Sequence, residues 1–201
     1  MDFLSASLND DRITLHDNNG SGMFSEQLII RPLANGVNEL FAADLDGDGD
    51  IDILASSFYD DSITWYENDG NGQFSKQHLI SNRAYGAVSV YATDLDGDGD
   101  IDVLSASAKD NTIDWYENEG NGQFSRITLI ADQIIGSKSV RAADIDGDGD
   151  MDVLSVSFWD HTIRWHENDG NGQFLTQHII TNQANKAESV FAADLDTQII
   201  G

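Results

Sequence analysis

The sequence has no cysteine, a single proline, and only 10 Lys and Arg against 36 Asp and Glu. Without cysteine there is neither a disulfide nor a thiolate metal site, and that absence fixes no compartment. One proline beside 18 glycines leaves the turns to Gly and Asx chemistry. A formal net charge of −26 removes nucleic acid as the default partner, because phosphate binding needs a basic surface. It also disfavours anionic membranes. No apolar run reaches the roughly 18 residues of a membrane span, so no membrane insertion is expected, and MDFLSASLND lacks the basic and apolar regions of a signal peptide. Charge of this size opposes compaction. Bound cations are therefore expected to neutralise it. Disorder is excluded by the 40% hydrophobic content and by apolar residues at regular places, three of the four Trp among them, and 201 residues suit one domain with a core.

What is present is a repeat of period 50. DLDGDGDID stands at 44–52 and 94–102, DIDGDGDMD at 144–152, and a shortened DLD at 194–196. A second string keeps the same spacing: HDNNGSGMF at 16–24, YENDGNGQF at 66–74, YENEGNGQF at 116–124 and HENDGNGQF at 166–174. Residues 51–100 and 101–150 share 28 identities in 50 positions, which indicates tandem duplication.

Within a repeat, apolar residues alternate with period two. Leu104, Ala106 and Ala108 alternate with Val103, Ser105 and Ser107, and Ile113 and Trp115 with Asp114 and Tyr116. Such alternation predicts half-buried strands. Four strands per repeat are expected, near 88–94, 102–108, 112–118 and 125–130 in one unit. Four short strands in about 50 residues make a propeller blade, so the fold class is all-β, a propeller of four-stranded antiparallel blades. The small Ala92, Ala142 and Ala192 suit the crowded centre. Leu15, Trp65, Trp115 and Trp165 suit packing between blades.

Asp44, Asp46, Asp48, Gly49, Asp50 and Asp52 form D-x-D-x-D-G-x-x-D. Calcium takes six to eight oxygens, and carboxylates at alternate positions of a tight glycine-turned loop can converge on one ion. An EF-hand is rejected, because loop position 12 is Ala55, Ser105 or Ser155 and both flanks read as strand. A nine-residue β-helix repeat with paired glycines is absent. Uncompensated Asp-rich turns are disfavoured, since five carboxylates within nine residues, three times over, would repel one another. The N-D-G-N-G turns read as hairpins and not as metal sites.

The D-x-D-x-D-G-x-x-D loop together with the N-D-G-N-G-Q-F turn resembles the FG-GAP or VCBS repeat, a family that includes integrin α-subunit propellers and several lectins. The resemblance covers essentially the whole chain. It implies calcium in the loop joining strands one and two, about three ions per chain. The implied ligands are Asp44, Asp46, Asp48, Asp50 (backbone) and Asp52; Asp94, Asp96, Asp98, Asp100 (backbone) and Asp102; and Asp144, Asp146, Asp148, Asp150 (backbone) and Asp152.

The repeat boundaries predict blades at 38–80, 88–130 and 138–180. The remaining blade combines strands from 2–30 with a C-terminal strand over 188–196. A fourth metal site would then draw on Asp2, Asp194 and Asp196. It is expected to be weak or empty, because Gln198 and Ile200 replace two of the acids. The chain is expected to close alone into a four-bladed ring, to pair as a homodimer into an eight-bladed one, or to be a piece of a longer protein.

The calcium loops and N-D-G-N-G turns share one end of the blades. The other end varies between copies: Asn9-Asp10-Asp11, Tyr59-Asp60-Asp61, Lys109-Asp110-Asn111 and Trp159-Asp160-His161, with the linkers near 33–38, 83–88, 133–138 and 183–188. Variation there is read as freedom from the demands of the fold, which makes Tyr59, Trp159 and His161 candidate contacts for a carbohydrate or protein ligand; covering of blade edges is the alternative. His16, His78, His166 and His178 do not converge in the repeat, and Arg83 and Arg141 are expected to pair with acids. No nucleophile, base or phosphate loop stands apart from the repeat, so the chain is expected to be a lectin-like or adhesive module and not an enzyme. A structural or protein-binding array and an accessory domain of a larger enzyme are the alternatives. Asp-rich sites suit the millimolar calcium outside cells, which points to an extracellular or cell-surface parent.

Overall fold

The computed structural model describes residues 1–30 and 35–194. Every sheet is a meander of neighbouring antiparallel strands. The first has three: β1 (Phe3–Ser7), β2 (Arg12–Asn18) and β3 (Phe24–Ile30). The second holds β4 (Val37–Ala43), β5 (Asp52–Ser57), β6 (Ser62–Glu67) and β7 (Lys76–Ser81). The third holds β8 (Ala87–Thr93), β9 (Asp102–Ser107), β10 (Thr112–Asn118) and β11 (Phe124–Ala131), within a residue of the strands expected from the alternation. The fourth holds β12 (Ser137–Ala143), β13 (Asp152–Ser157), β14 (Thr162–Glu167) and β15 (Thr176–Thr181). Four consecutive sheets of this kind are four blades of a β-propeller. Among the described residues no helix is long and apolar enough to cross a membrane.

Register shifts recur at one place in each blade. The outer strands slip at Ile13/Thr14, Ile63/Thr64, Ile113/Asp114 and Ile163/Arg164. The inner strands slip at Val37/Leu40, Ala87/Ser89 and Ser137/Ser139. Such irregularities raise the local twist, as blades that fan around an axis require.

The core lies between blades, not within them. Leu54, Ile63 and Trp65 of the second blade are buried with Val90, Ala92, Val103 and Tyr116 of the third. Leu104, Ile113 and Trp115 of the third meet Val140, Ala142 and Val153 of the fourth. This corrects the expectation of half-buried strands. Every residue of β5, β9 and β13 is buried, including the serines, because a blade has sheet packed on both faces.

The expected strand over 188–196 is also corrected. Residues 187–194 form no strand, and 195–196 lie outside the described residues. The segment borders β12: Glu188 and Ser189 share a cavity with Lys138 and Ser139, and Ala192–Asp194 share another with Ala143–Gly147. It stands where the next inner strand would follow β12, and among the described residues it has no second strand to pair with and β1 has one free edge.

Candidate metal centre

Each acidic loop joins the inner strand of a blade to its second strand. Gly47 and Gly49 have φ of 75° and 96°, values that side-chain-bearing residues adopt only under strain, and the same holds at 97, 99, 147 and 149. These turns point backbone N–H groups inward. Asp44 Oδ1 accepts from Gly47 N at 2.9 Å and Oδ2 from Gly49 N at 3.0 Å. Asp46 accepts from Asp48 N, and Asp48 from Asp50 N. The loops at 94–102 and 144–152 repeat each bond. The carboxylates are therefore held by the backbone, with lone pairs to spare.

Three carboxylate oxygens in each loop come within 4.8 Å of one another: those of Asp44, Asp46 and Asp48; of Asp94, Asp96 and Asp102; and of Asp144, Asp146 and Asp152. That spacing is about twice a calcium–oxygen distance of 2.3–2.6 Å. The donor set is all oxygen, so the residues fit a hard cation. Asp50, Asp100 and Asp150 turn their carboxylates toward Gly70, Gly120 and Gly170 of the neighbouring hairpin and stand apart from the clusters.

Asp52 is fully buried, accepting from Leu45 N at 2.9 Å and from Asn68 N at 2.8 Å. Burial pushes its carboxyl up to about 6, and that of Asp102 up to about 7. Burial likewise raises Asp46, Asp96 and Asp152. A divalent cation would oppose each shift by favouring the ionised form.

One functional residue escaped the sequence reading. Asn118 donates from Nδ2 to Leu45 O at 2.8 Å and to Ile101 O at 2.9 Å, so it ties the acidic loop of the preceding blade to its own. Asn168 does the same to Leu95 O and Met151 O. The adjacent turn adds a clasp. A Cβ on Gly122 would stand 2.4 Å from the Trp65 ring, and one on Gly172 2.7 Å from Trp115. The recurring Asn of Y/H-E-N was the available signal, read only as a hairpin residue.

Four successive matches to the FG-GAP-like repeat cover residues 1–55, 44–105, 94–155 and 144–197. The chain belongs to this repeat family. No curated protein matches it. Among solved structures it is similar to an Agrocybe aegerita lectin with specific recognition of non-reducing terminal N-acetylglucosamine, at 22% identity and TM-score 0.62, over 90% of this chain and 49% of that one. It is also similar to the biofilm matrix protein Bap1 of V. cholerae, at 21% identity and TM-score 0.54, over 94% of this chain and 27% of that one. Virginiamycin B lyase from Staphylococcus aureus matches at 12% identity and TM-score 0.57, over 89% of this chain and 51% of that one. These likenesses establish the propeller fold, and the FG-GAP-like chain spans about half or less of each of these structures.

The opposite end of the FG-GAP-like blades is more constrained than its variation suggests. Asp11, Asp61, Asn111 and His161 all have φ between 51° and 65°. Each accepts a backbone N–H from the following linker: Asp11 from Gly36, Asp61 from Gly86 and Asn111 from Gly136 at 2.7–2.8 Å, and His161 Nδ1 from Lys186 at 3.2 Å. His161 therefore acts in a blade-to-linker tie. Tyr59 and Trp159 lie over Gly36 and Gly136, where a Cβ would meet their rings at 2.5 and 2.3 Å. Their other faces are open, at 53% and 63% exposure. Lys109 covers Gly86 in the same way and bonds Asp61 at 2.7 Å. The expectation that the fold makes no demand on these loops is thus corrected at two positions in three of the loops and at Asp11 in the first.

The histidines remain apart. His78 and His178 stack on Trp65 and Trp165 and bond Glu67 and Glu167. His16 and His166 bond Ser5 and Ser155. Arg141 pairs with Glu39 at 2.7 Å across the intervening β8. Of the expected fourth site, Asp2 accepts from Asn18 N, as Asp52 does from Asn68 N. Asp194 stands in the segment beside β12, and Asp196 lies outside the described residues.

Proposed function

We propose that this FG-GAP-like chain is a calcium-stabilised, non-catalytic binding module of an extracellular or cell-surface protein. It holds a carbohydrate or protein ligand at the end of the blades that carries Tyr59 and Trp159. The observation that carries the reading is the threefold recurrence of carboxylate oxygens within 4.8 Å, oriented by backbone N–H groups. Calcium there would supply positive charge to a chain of net charge −26 and fix loops that contain little apolar material. A lectin and a matrix protein among the similar structures support a ligand-holding role outside the cell. Half-open aromatic rings seated on glycine backbone are rigid platforms on which a sugar or an apolar side chain can stack. A second copy of the chain is a further proposed partner.

Calorimetric titration of the metal-free chain should show about three calcium ions bound. Each site filled at a hundredfold excess over its dissociation constant adds about 2.7 kcal/mol, so chelation should lower the melting temperature markedly. An unchanged melting temperature after chelation would refute the metal reading. A glycan array in calcium, with Trp159→Ala beside the unaltered chain, separates a lectin from a structural array. Sugar selectivity lost in the variant supports the first. Silence on both favours the second.

A further inference from the structure

The surfaces that make the interior junctions are uncovered at the two outer blades. Ile53, Val103 and Val153 occupy one repeat position and are at most 1% exposed, because each packs toward the preceding blade. Their counterpart Phe3 is 55% exposed. Among the described residues β1 has β2 on one side and a free edge on the other. At the far end, Ile163 and Trp165 are only partly covered, whereas Ile63, Ile113, Trp65 and Trp115 are buried. Gly122 and Gly172 receive Trp65 and Trp115, and their counterpart Gly22 has nothing within 4 Å.

The two ends are complementary by sequence. FAAD at 191–194 repeats FAAD at 41–44, whose first three residues belong to the inner strand β4 that pairs with β5. DFLSAS at 2–7 differs from DVLSAS at 102–107, which includes the second strand β9, only at Phe3. Among the described residues the chain thus displays an inner-strand sequence that forms no strand and a second strand without an inner neighbour. They do not meet within one chain. Residues 187–194 border β12 and form no ladder with β1, and Phe191 is 82% exposed.

We propose that a second copy of this chain docks end to end, laying its residues 187–193 along the free edge of β1 and seating its Trp165 over Gly22. The inference rests on the self-association proposed above and gives it a register. Within the chain Leu40, Phe41, Ala42 and Ala43 pair with Ala55, Leu54, Ile53 and Asp52. Shifted by the 50-residue period, Val190, Phe191, Ala192 and Ala193 of one copy face Ser5, Leu4, Phe3 and Asp2 of the other. Apart from Glu188 and Asp2, the surfaces brought together are small or apolar, so most of the shared negative charge stays at the blade ends. Two copies joined at both ends leave neither edge open, which is the closed solution for a head-to-tail interface.

The absence of native cysteine gives a direct test. Phe3→Cys and Ala192→Cys are made as separate variants at positions that bear little of the core, then mixed in calcium under mild oxidation. A disulfide joining one of each, formed at least tenfold faster than in either variant alone, is expected, with unaltered chain scattering light at twice its 22.0 kDa mass. No preference for the mixed disulfide overturns the register even if a dimer is present. A monomeric mass overturns both the register and the self-association, while calcium titration reports on the metal reading separately. A double variant that oxidises within one chain overturns the second copy as occupant.

Discussion

The junction between the first and second blades and the junction between the second and third use the same repeat positions with different side chains. At the latter, Trp65 is buried against Gly122, Leu45 of the acidic loop is 1% exposed, and Asn118 binds the Leu45 carbonyl from the next blade. At the former, Leu15 stands in place of the tryptophan. Asn68 reaches only Ile51 O of its own blade, and a cavity of about 310 Å³ opens among Leu15, Asn68, Gly72 and Phe74. Among the described residues no acidic loop closes it. The acidic loop is thus part of the blade interface, and a junction without that loop is looser. Large aromatic volume, a glycine to receive it and a carbonyl to tie it work as one unit.

This contrast can be broken most strongly at Trp65. Trp65→Leu should convert the tight junction into the loose one and cost about 3 kcal/mol in denaturant unfolding. Leu15→Trp should act in reverse and add about 1 kcal/mol by filling the cavity over Gly72. Equal effects of opposite sign are not expected, because Leu15 lacks the loop that completes the other interface. A smaller effect separates the glycines. Gly122→Ala meets the Trp65 ring at 2.4 Å in addition to its φ of 68°, whereas Gly72→Ala, at φ 73°, meets nothing within 4 Å. Thermal unfolding should show the first costing about 2 kcal/mol more than the second; equality would mean that the clasp does not hold.

A further effect concerns acid. His166 is buried against Ser155, and burial holds its imidazole down to about 4 against an ordinary 6.5. Its folded-state value is depressed, so below pH 6.5 the unfolded chain takes up a proton that the folded chain refuses. Stability from this group is complete above 6.5 and is lost as pH falls from 6.5 toward 4. Tyr116 fills the same repeat position and bonds Ser105 without titrating in that range. His166→Tyr should therefore flatten the acid limb of the stability profile between pH 6.5 and 4 and leave the neutral plateau near its original height.

Much of the site was legible because its geometry is local. Alternate aspartates and two glycines within nine residues dictate a tight loop whatever surrounds it, and the strands followed from the period-two pattern within a residue of their observed bounds. The Asn118 tie was not legible, because it spans 73 residues and joins a side chain to a carbonyl in another blade. The acceptor role of Asp11, Asp61, Asn111 and His161 was hidden by variation. Three residue types meet one requirement, an acceptor on a left-handed residue, so the sequence shows difference where the structure shows equivalence.

By itself, then, the sequence determined what depends on short range: the 50-residue period, the strands, the glycine-turned acidic loops and the oxygen-only donor chemistry. Tertiary structure alone decided which faces of the strands are covered, that both faces of β5, β9 and β13 are buried, and that residues 187–194 lie beside β12 without pairing to β1. The reason is that alternation reports only one face of one strand. Stacking blade on blade is a packing of two sheets, set by side-chain volumes such as Leu15 against Trp65 that meet only once the chain has folded.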